Sequence, residues 1–240
     1  MIVLDNIETR CRFFRQRLFG WWPHNSRAFA WRELSSMYEL LIAELLLRRT
    51  NAPAAHSVYL EFLQNYPTTD SFSRARAKDL KQLVGRLGLH WRAQNVVELA
   101  QHLRVSSSGI PDTLEGLSEL PGVGPYVARA VLVNCGKLRA VPVDANVVRV
   151  VCRFFGLQVN DSLRRNKRFQ TLADSLLGNV QAREFNYALL DFASSICRSR
   201  LPRCANCPLA THCCFARIPD SVCEKQNREP RSAKRHGKVG

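Results

Sequence analysis

The sequence predicts an all-α protein. In several long segments apolar residues recur three and four positions apart, the spacing that places them on one face of a helix. No segment shows the sustained alternation of apolar and polar residues that is typical of a strand. With 46% hydrophobic and 23% charged residues among 240, the chain can bury a sizeable core, as one large domain or two small ones.

The individual helices follow from this spacing in chain order. The Leu-rich stretch at 31–50 predicts a buried helix, which Ser35 or Ser36 would cap at its N-terminus. Beyond Cys223 the chain is polar and basic without periodicity, which predicts a flexible tail. The other predicted helices lie at 56–66, 75–87 and 92–103, in a short segment after Pro111, and at 126–134, 146–155, 161–178 and 182–196.

The charge balance indicates a polyanionic partner. The chain has 35 Lys and Arg against 20 Asp and Glu, a formal charge of +15 and a pI of about 10.0. Basic side chains bound to phosphates release condensed counterions, so nucleic acid is the first candidate. The sequence shows neither an apolar run long enough to span a bilayer nor the pattern of a secretory signal. We therefore expect a soluble, intracellular protein, in the cytoplasm or nucleoid of a prokaryote, that binds no membrane.

Four of the nine cysteines stand close together near the C-terminal end of the predicted helical region. Their spacing, C-x6-C-x2-C-x5-C, is typical of a metal centre, because one ion or cluster needs thiolates that converge from several backbone directions. The four residues are Cys197, Cys204, Cys207 and Cys213. Both a four-iron, four-sulfur cluster and a tetrahedral zinc ion fit this pattern. Cys214 is the neighbouring competing thiol, whereas Cys11, Cys135, Cys152 and Cys223 are predicted to be buried or incidental thiols.

Two further motifs carry possible chemistry. The sequence Leu-Pro-Gly-Val-Gly-Pro-Tyr at 120–126 places Gly122 and Gly124 before a helix, where a tight turn can aim backbone N–H groups at an anion such as a DNA phosphate. An ordinary turn between helices fits equally well. Asp144, in Val-Asp-Ala-Asn, begins a later helix, so it is either an N-cap alone or an N-cap that also keeps a reactive carboxylate ionised.

In this order and spacing, the three motifs resemble the endonuclease III superfamily of helix-hairpin-helix DNA glycosylases, from about residue 29 to 213. The resemblance implies two helical lobes with a DNA groove between them, and a four-iron, four-sulfur cluster on the four cysteines. A six-helix barrel lobe would span 33–145, with the hairpin at 115–135. The cluster lobe would combine 1–32 with 146–214, and 215–240 would form the basic tail. The implied partner is double-stranded DNA with a mismatched or damaged base, bound by a monomer.

The resemblance also assigns roles to individual residues. Asp144 matches the catalytic carboxylate, whose negative charge stabilises the oxocarbenium-like sugar that forms as the base leaves. Leu89 matches a wedge residue that enters the base stack, with core packing as the alternative, and Arg48 or Arg49 would fill the vacated space or contact phosphates. The expected DNA contacts are Arg48, Arg49, Leu89, Gly122, Val123, Gly124, Asn146 and Arg149. Arg92, Arg129, Arg198, Arg200 and Arg203 are expected to border the same groove.

Position 126 decides the type of glycosylase. Family members that also cleave the strand carry Lys there, because an amine can form a Schiff base with the opened sugar. Tyr126 cannot do this, so the resemblance predicts a monofunctional enzyme, with at most weak lyase activity from another amine such as Lys137.

The sequence indicates the base that is removed less directly than it indicates the type of reaction. Glu44, among apolar neighbours, is expected to line the base pocket and to bond an imide N–H. With Arg48, Arg49, Tyr126 and the segment at 143–146, it resembles glycosylases that remove thymine or uracil opposite guanine. The alternative is an adenine glycosylase acting opposite oxidised guanine. Those enzymes usually have Gln-Gln at 48–49, Gly at 145 and an additional C-terminal domain. A DNA-binding iron-sulfur sensor and a zinc-held DNA-binding domain are the non-enzymatic alternatives.

Overall fold

The computed structural model describes residues 7–106 and 109–217, and none of these residues lies in a β-strand. The all-α prediction is therefore confirmed. The eleven α-helices in this part of the chain are α1 (Ile7–Trp21), α2 (Met37–Leu47), α3 (Ala52–Asn65), α4 (Thr69–Ser73), α5 (Ala77–Gly85), α6 (His90–Val105), α7 (Leu114–Glu119), α8 (Pro125–Asn134), α9 (Ala145–Phe155), α10 (Lys167–Ser175) and α11 (Ala182–Ser195). The basic tail was predicted to begin at 215, but Phe215–Arg217 form a 3-10 turn. The rest of the predicted tail, Cys223 included, lies outside the described residues.

The helices surround two hydrophobic cores. The first core is built from helices α2 to α8. The second combines α1 with α9, α10 and α11, and it continues into the cysteine loop. Leu132 belongs to the first core and Val133 to the second, so the two cores meet inside α8. Helix α1 thus packs against helices that follow it by more than a hundred residues.

Local sequence explains where several helices begin. The Ser36 hydroxyl accepts a hydrogen bond from the backbone N–H of Glu39, so the second of the two candidate serines caps α2. The single helix predicted at 161–178 is divided, because Asn166 ends a short 3-10 turn and caps α10 through the N–H of Phe169. The five-residue helix α4 was not predicted, since it is too short to show a period.

Among these helices, none combines the length and the apolar character that a bilayer crossing requires.

Candidate active site

Three elements bring Glu44, Tyr126 and Asp144 together. Glu44 lies in the middle of α2, Tyr126 in the first turn of α8, and Asp144 at the N-cap of α9. Their electrostatic coupling shows how near they stand: Asp144 raises the pKa of Glu44, and Glu44 and Asp144 both raise the pKa of the Tyr126 phenol after burial has raised it. Two carboxyl groups and a phenol therefore form one cluster.

Asp144 is held by its own helix. One carboxylate oxygen accepts the backbone N–H of Val147 at 2.8 Å, and the other accepts the side-chain amide of Asn146 at 2.6 Å. Burial raises the pKa of Asp144, whereas these hydrogen bonds and the charge of Arg149 lower it. The carboxylate is thus an N-cap and also faces the cluster, so the two readings of this residue are compatible.

Glu44 has a different environment. Its side chain lies within an apolar helix, and the residue is 9% exposed. Burial, followed by the charge of Asp144, raises the pKa of Glu44 to about 8. Near pH 7 most Glu44 side chains are therefore protonated, whereas Asp144, which has hydrogen-bond donors and a nearby arginine, ionises first. Two carboxyl groups with separated pKa values are the arrangement that acid–base catalysis uses.

Two residues of this site were not predicted from the sequence. The Asn134 amide donates to Oε1 of Glu44 at 3.2 Å, and the Asn186 amide donates to Oδ1 of Asn134 at 3.0 Å. Both asparagines are almost fully buried, at 2% and 1% exposed. An asparagine directly after Val-Leu-Val, as at 134, was the only available signal, and it identifies no partner.

The raised pKa of Glu44 makes stability depend on pH. The folded state holds the proton up to about pH 8 and the unfolded state only to about pH 4.5, so the contribution is complete below pH 4.5 and is lost as pH rises to 8. Relative to Glu44→Gln, which does not titrate, we expect the free energy of unfolding of the wild type to fall by about 2 kcal/mol between pH 6 and pH 7.5. Urea denaturation of both proteins measures this difference. Parallel curves would contradict the assignment.

The predicted hairpin is present between α7 and α8. Gly122 has a φ of 75°, and a Cβ on it would lie 2.7 Å from Cβ of Asn95, so the turn needs glycine at this position. Gly124 is the N-cap of α8, with no side chain bonded to the first turn. Val123 is buried at 4% exposed, so its side chain anchors the turn in the first core. The backbone amides at the start of α8 are thus available to an anion.

The arginines near this hairpin have unequal roles. Arg48 donates to the Gly122 carbonyl at 2.8 Å and lies over the Trp91 ring, 4.7 Å from its centroid. The prediction that Arg92 borders a groove is wrong: it is 1% exposed and donates to the Arg48 carbonyl, because it closes the end of α2 from inside. Arg49 is exposed with a φ of 53°, and Leu89 is half-buried just before α6.

Arg149 faces the protein interior of the cluster lobe. Its guanidinium donates to the carbonyl of Cys197 at 2.8 Å and to that of Ala193 at 2.9 Å. One turn later, Arg153 donates to the carbonyl of Arg198 at 2.7 Å. These bonds brace α9 against the cysteine loop and the end of α11. Arg149 is half-buried, and its DNA contact stays a prediction. In that loop the predicted groove arginines Arg200 and Arg203 are exposed, and Arg129, on α8, is partly exposed.

The four clustered cysteines line a single cavity. Its walls are otherwise largely apolar and include Phe192, Ile196, Leu209 and Phe215. Burial raises the pKa of the Cys207 thiol, and the charges of the other three raise it further, so the four sulfur atoms are within electrostatic range of one another. Within 7–106 and 109–217, no group of three or more His, Cys, Asp or Glu side chains could hold a metal ion. The cavity thus brings the four thiols to one place.

Known proteins are similar to nearly the whole chain. A thymine-DNA glycosylase from Aeropyrum pernix is 34% identical over 222 residues, covering 90% of this chain and 98% of the relative. A thymine/uracil-DNA glycosylase from Methanothermobacter thermautotrophicus is 30% identical, covering 88% and 96%. An adenine DNA glycosylase from Mycobacterium tuberculosis is 32% identical, but the match spans only 64% of its length.

Structural similarity agrees with the sequence matches. A solved thermostable thymine-DNA glycosylase superposes with a TM-score of 0.80 at 30% identity, over 88% of this chain and 99% of that one. Residues 42–173, more than half of the chain, match the family described as HhH-GPD superfamily base excision DNA repair protein. The matched region includes the hairpin and the Glu44, Tyr126 and Asp144 cluster. The chain therefore belongs to the HhH-GPD superfamily and is a DNA glycosylase of base excision repair.

Proposed function

We propose that this glycosylase is monofunctional and removes thymine or uracil opposite guanine from double-stranded DNA, acting inside the cell as a monomer. The observation that carries the proposal is the set of groups at the site: two carboxyl groups and the Tyr126 phenol, with no amine among the described groups coupled to them. Relatives similar over nearly their full length are thymine or thymine/uracil glycosylases, which supports this choice of base.

The arrangement supports hydrolysis in place of strand cleavage. The flipped nucleotide enters the site at a cost of a few kcal/mol, lower for a mispaired base. The bond between C1′ and the base breaks, and its electron pair leaves with the base. The ionised Asp144 carboxylate stabilises the positive charge on the sugar. When the oxygen of a water molecule bonds to C1′, Asp144 accepts a proton from that water. Glu44, protonated, faces the base, whose negative charge it can lower by donating a hydrogen bond.

A trapping experiment tests monofunctionality. We expect borohydride to trap no stoichiometric complex between the wild type and DNA containing a T·G mispair, because the Tyr126 phenol forms no Schiff base. The variant Tyr126→Lys is the matched positive control, since burial lowers the pKa of an amine placed there and favours its nucleophilic form. Stoichiometric trapping of the wild type would overturn the proposal, and Lys137→Ala would then show whether Lys137 is the amine.

A panel of duplexes tests the choice of base. T or U opposite G, and A opposite G or oxidised G, are incubated with the enzyme, and strand breaks are scored after alkali. We expect rates at least about tenfold higher for T and U, a difference of about 1.4 kcal/mol in transition-state stabilisation. Faster release of adenine would favour the adenine glycosylase alternative.

We also propose a four-iron, four-sulfur cluster on Cys197, Cys204, Cys207 and Cys213. The four cysteines line one largely apolar cavity, which supports a cubane cluster held by four thiolates. When bound, the cluster would cross-link the cysteine loop and would take no part in the chemistry on the base. Through Arg149, that loop is bonded to the helix that carries Asp144.

A further inference from the structure

A buried chain of amides joins the two cores at Glu44. Asn134 stands at the end of α8 and Asn186 in the first half of α11, and their side chains connect the cluster lobe to the middle of α2. Buried polar groups in a low-dielectric interior are costly unless they are paired, so such a chain needs a reason. Neither the hydrolysis step nor the packing of the cores accounts for it.

The orientation of the two amides determines which oxygen of the Glu44 carboxyl group carries the proton. An amide has one donor end and one acceptor end. Because Oδ1 of Asn134 accepts from Asn186, its Nδ2 faces Glu44 and donates to Oε1. In the protonated form of Glu44, the oxygen that accepts this hydrogen bond is the carbonyl oxygen. The proton of Glu44 must then lie on Oε2.

We propose that Asn134 and Asn186 are positioning residues that hold the Glu44 proton on Oε2, where the acid donates a hydrogen bond to a carbonyl oxygen of the flipped pyrimidine. This inference rests on the proposed function, because it takes thymine or uracil as the base. As the bond to C1′ breaks, the electron pair spreads onto the pyrimidine carbonyl oxygens. A fixed donor at such an oxygen stabilises the leaving base more than the intact nucleotide, so it accelerates the reaction. The sequence-based role of Glu44, acceptance from an imide N–H, is thereby reversed.

The pH dependence follows from the same arrangement. The titratable groups coupled to Glu44 are Tyr126 on α8, Asp144 at the start of α9 and Tyr187 on α11, and the charges of Arg183 and Arg32 act on that tyrosine. Of these, Asp144 raises the pKa of Glu44, which is about 8. Base release should therefore slow as pH rises through 8, because the donor on Oε2 is lost.

The variant Glu44→Gln tests the direction of the chain. If Asn134 donates, the carbonyl oxygen of the glutamine takes the place of Oε1, and its NH₂ group takes the place of the Oε2 hydroxyl as donor. In single-turnover release of thymine from a T·G duplex, we expect this variant to keep a rate within about tenfold of the wild type and to lose the decline above pH 8. We expect Glu44→Ala to be slower by about a hundredfold or more. A Gln variant as slow as the Ala variant would overturn the proposal, since it would mean that the site needs an acceptor there.

The variant Asn134→Leu tests the positioning role. Loss of its N–H removes a hydrogen bond that favours the ionised carboxylate, so the midpoint of the pH decline should move upward and the rate at pH 7 should fall about tenfold. In the Glu44→Gln background the loss should be larger, because the glutamine amide is then free to turn over. Val131→Ala, a buried position on the same helix, is the control for destabilisation and should leave both midpoint and rate unchanged.

An unchanged pH midpoint in Asn134→Leu, or an equal change in Val131→Ala, would overturn the role of Asn134. If the Asn134 variant does not fold, the comparison of Gln and Ala at position 44 still decides the direction of the chain. Failure of the proposed function looks different: the wild type would then release adenine in place of thymine or uracil, and the two Glu44 variants would be compared on the adenine duplex.

Discussion

Asp144→Asn should abolish base release and preserve DNA binding. Asparagine is as good an N-cap as aspartate, so its side-chain oxygen can still accept the N–H of Val147 and α9 should keep its start. The variant loses the negative charge that stabilises the sugar and the group that takes the proton of the attacking water. We expect the single-turnover rate to fall by at least about a thousandfold.

The control for this experiment is Asp174→Asn. Asp174, on α10, is also a carboxylate that accepts a backbone N–H, from Val141 at 2.7 Å, but it is not among the charges that act on Glu44 and Tyr126. Gel-shift titration with a T·G duplex should show similar affinity for the wild type and both variants. Base release by Asp144→Asn at a rate near that of Asp174→Asn would refute the catalytic role of Asp144, whereas binding without base release by all three proteins would favour a DNA-binding sensor.

Cys207→Ser should remove the proposed iron-sulfur cluster and destabilise the second core, against which Cys207 packs. Purified wild-type protein is expected to absorb broadly near 400 nm, as cubane iron-sulfur clusters do, and the variant to lose that absorption. The cysteine loop is bonded to α9 through Arg149 and Arg153. Loss of the cluster should therefore lower the melting temperature of the protein by at least about 10 °C.

The neighbouring Cys214→Ser is the matched control for this result. The Cys214 thiol receives a hydrogen bond from Arg10 at 3.5 Å and is not among the residues that line the four-cysteine cavity. This variant should keep its absorption near 400 nm. A colourless wild type would contradict the iron-sulfur proposal and favour zinc, and full absorption in Cys207→Ser would contradict the assignment of that ligand.

Features set by short-range patterns could be predicted from the sequence. The helices from 37 to 195, except the short α4, follow apolar spacing, and both the cap at Ser36 and the cap at Asp144 follow from a polar residue before an apolar run. The hairpin glycines could be predicted because a positive φ at Gly122 requires that residue. Glu44 was identified through the family resemblance, and its apolar neighbours argued against a solvent-facing position.

Features set by long-range contacts could not be predicted from the sequence. A basic residue predicts a surface position, yet Arg92 is buried because the carbonyl at the end of α2 needs a donor. Arg149 binds carbonyls 44 and 48 residues away, and Asn134 meets Asn186 across 52 residues. No local sequence pattern indicates such pairings. They determine which arginine side chains remain available to contact DNA and which groups hold the Glu44 side chain.

Mass spectrometry of the products from a T·G duplex tests the central claim most directly. The site of Glu44, Tyr126 and Asp144 predicts free thymine and an intact strand that carries one abasic sugar, with no covalent adduct on the protein. A cleaved strand with an unsaturated sugar end would contradict hydrolysis and show that an amine acts at C1′. Recovery of the duplex unchanged, by enzyme with its cluster intact, would contradict thymine as a substrate.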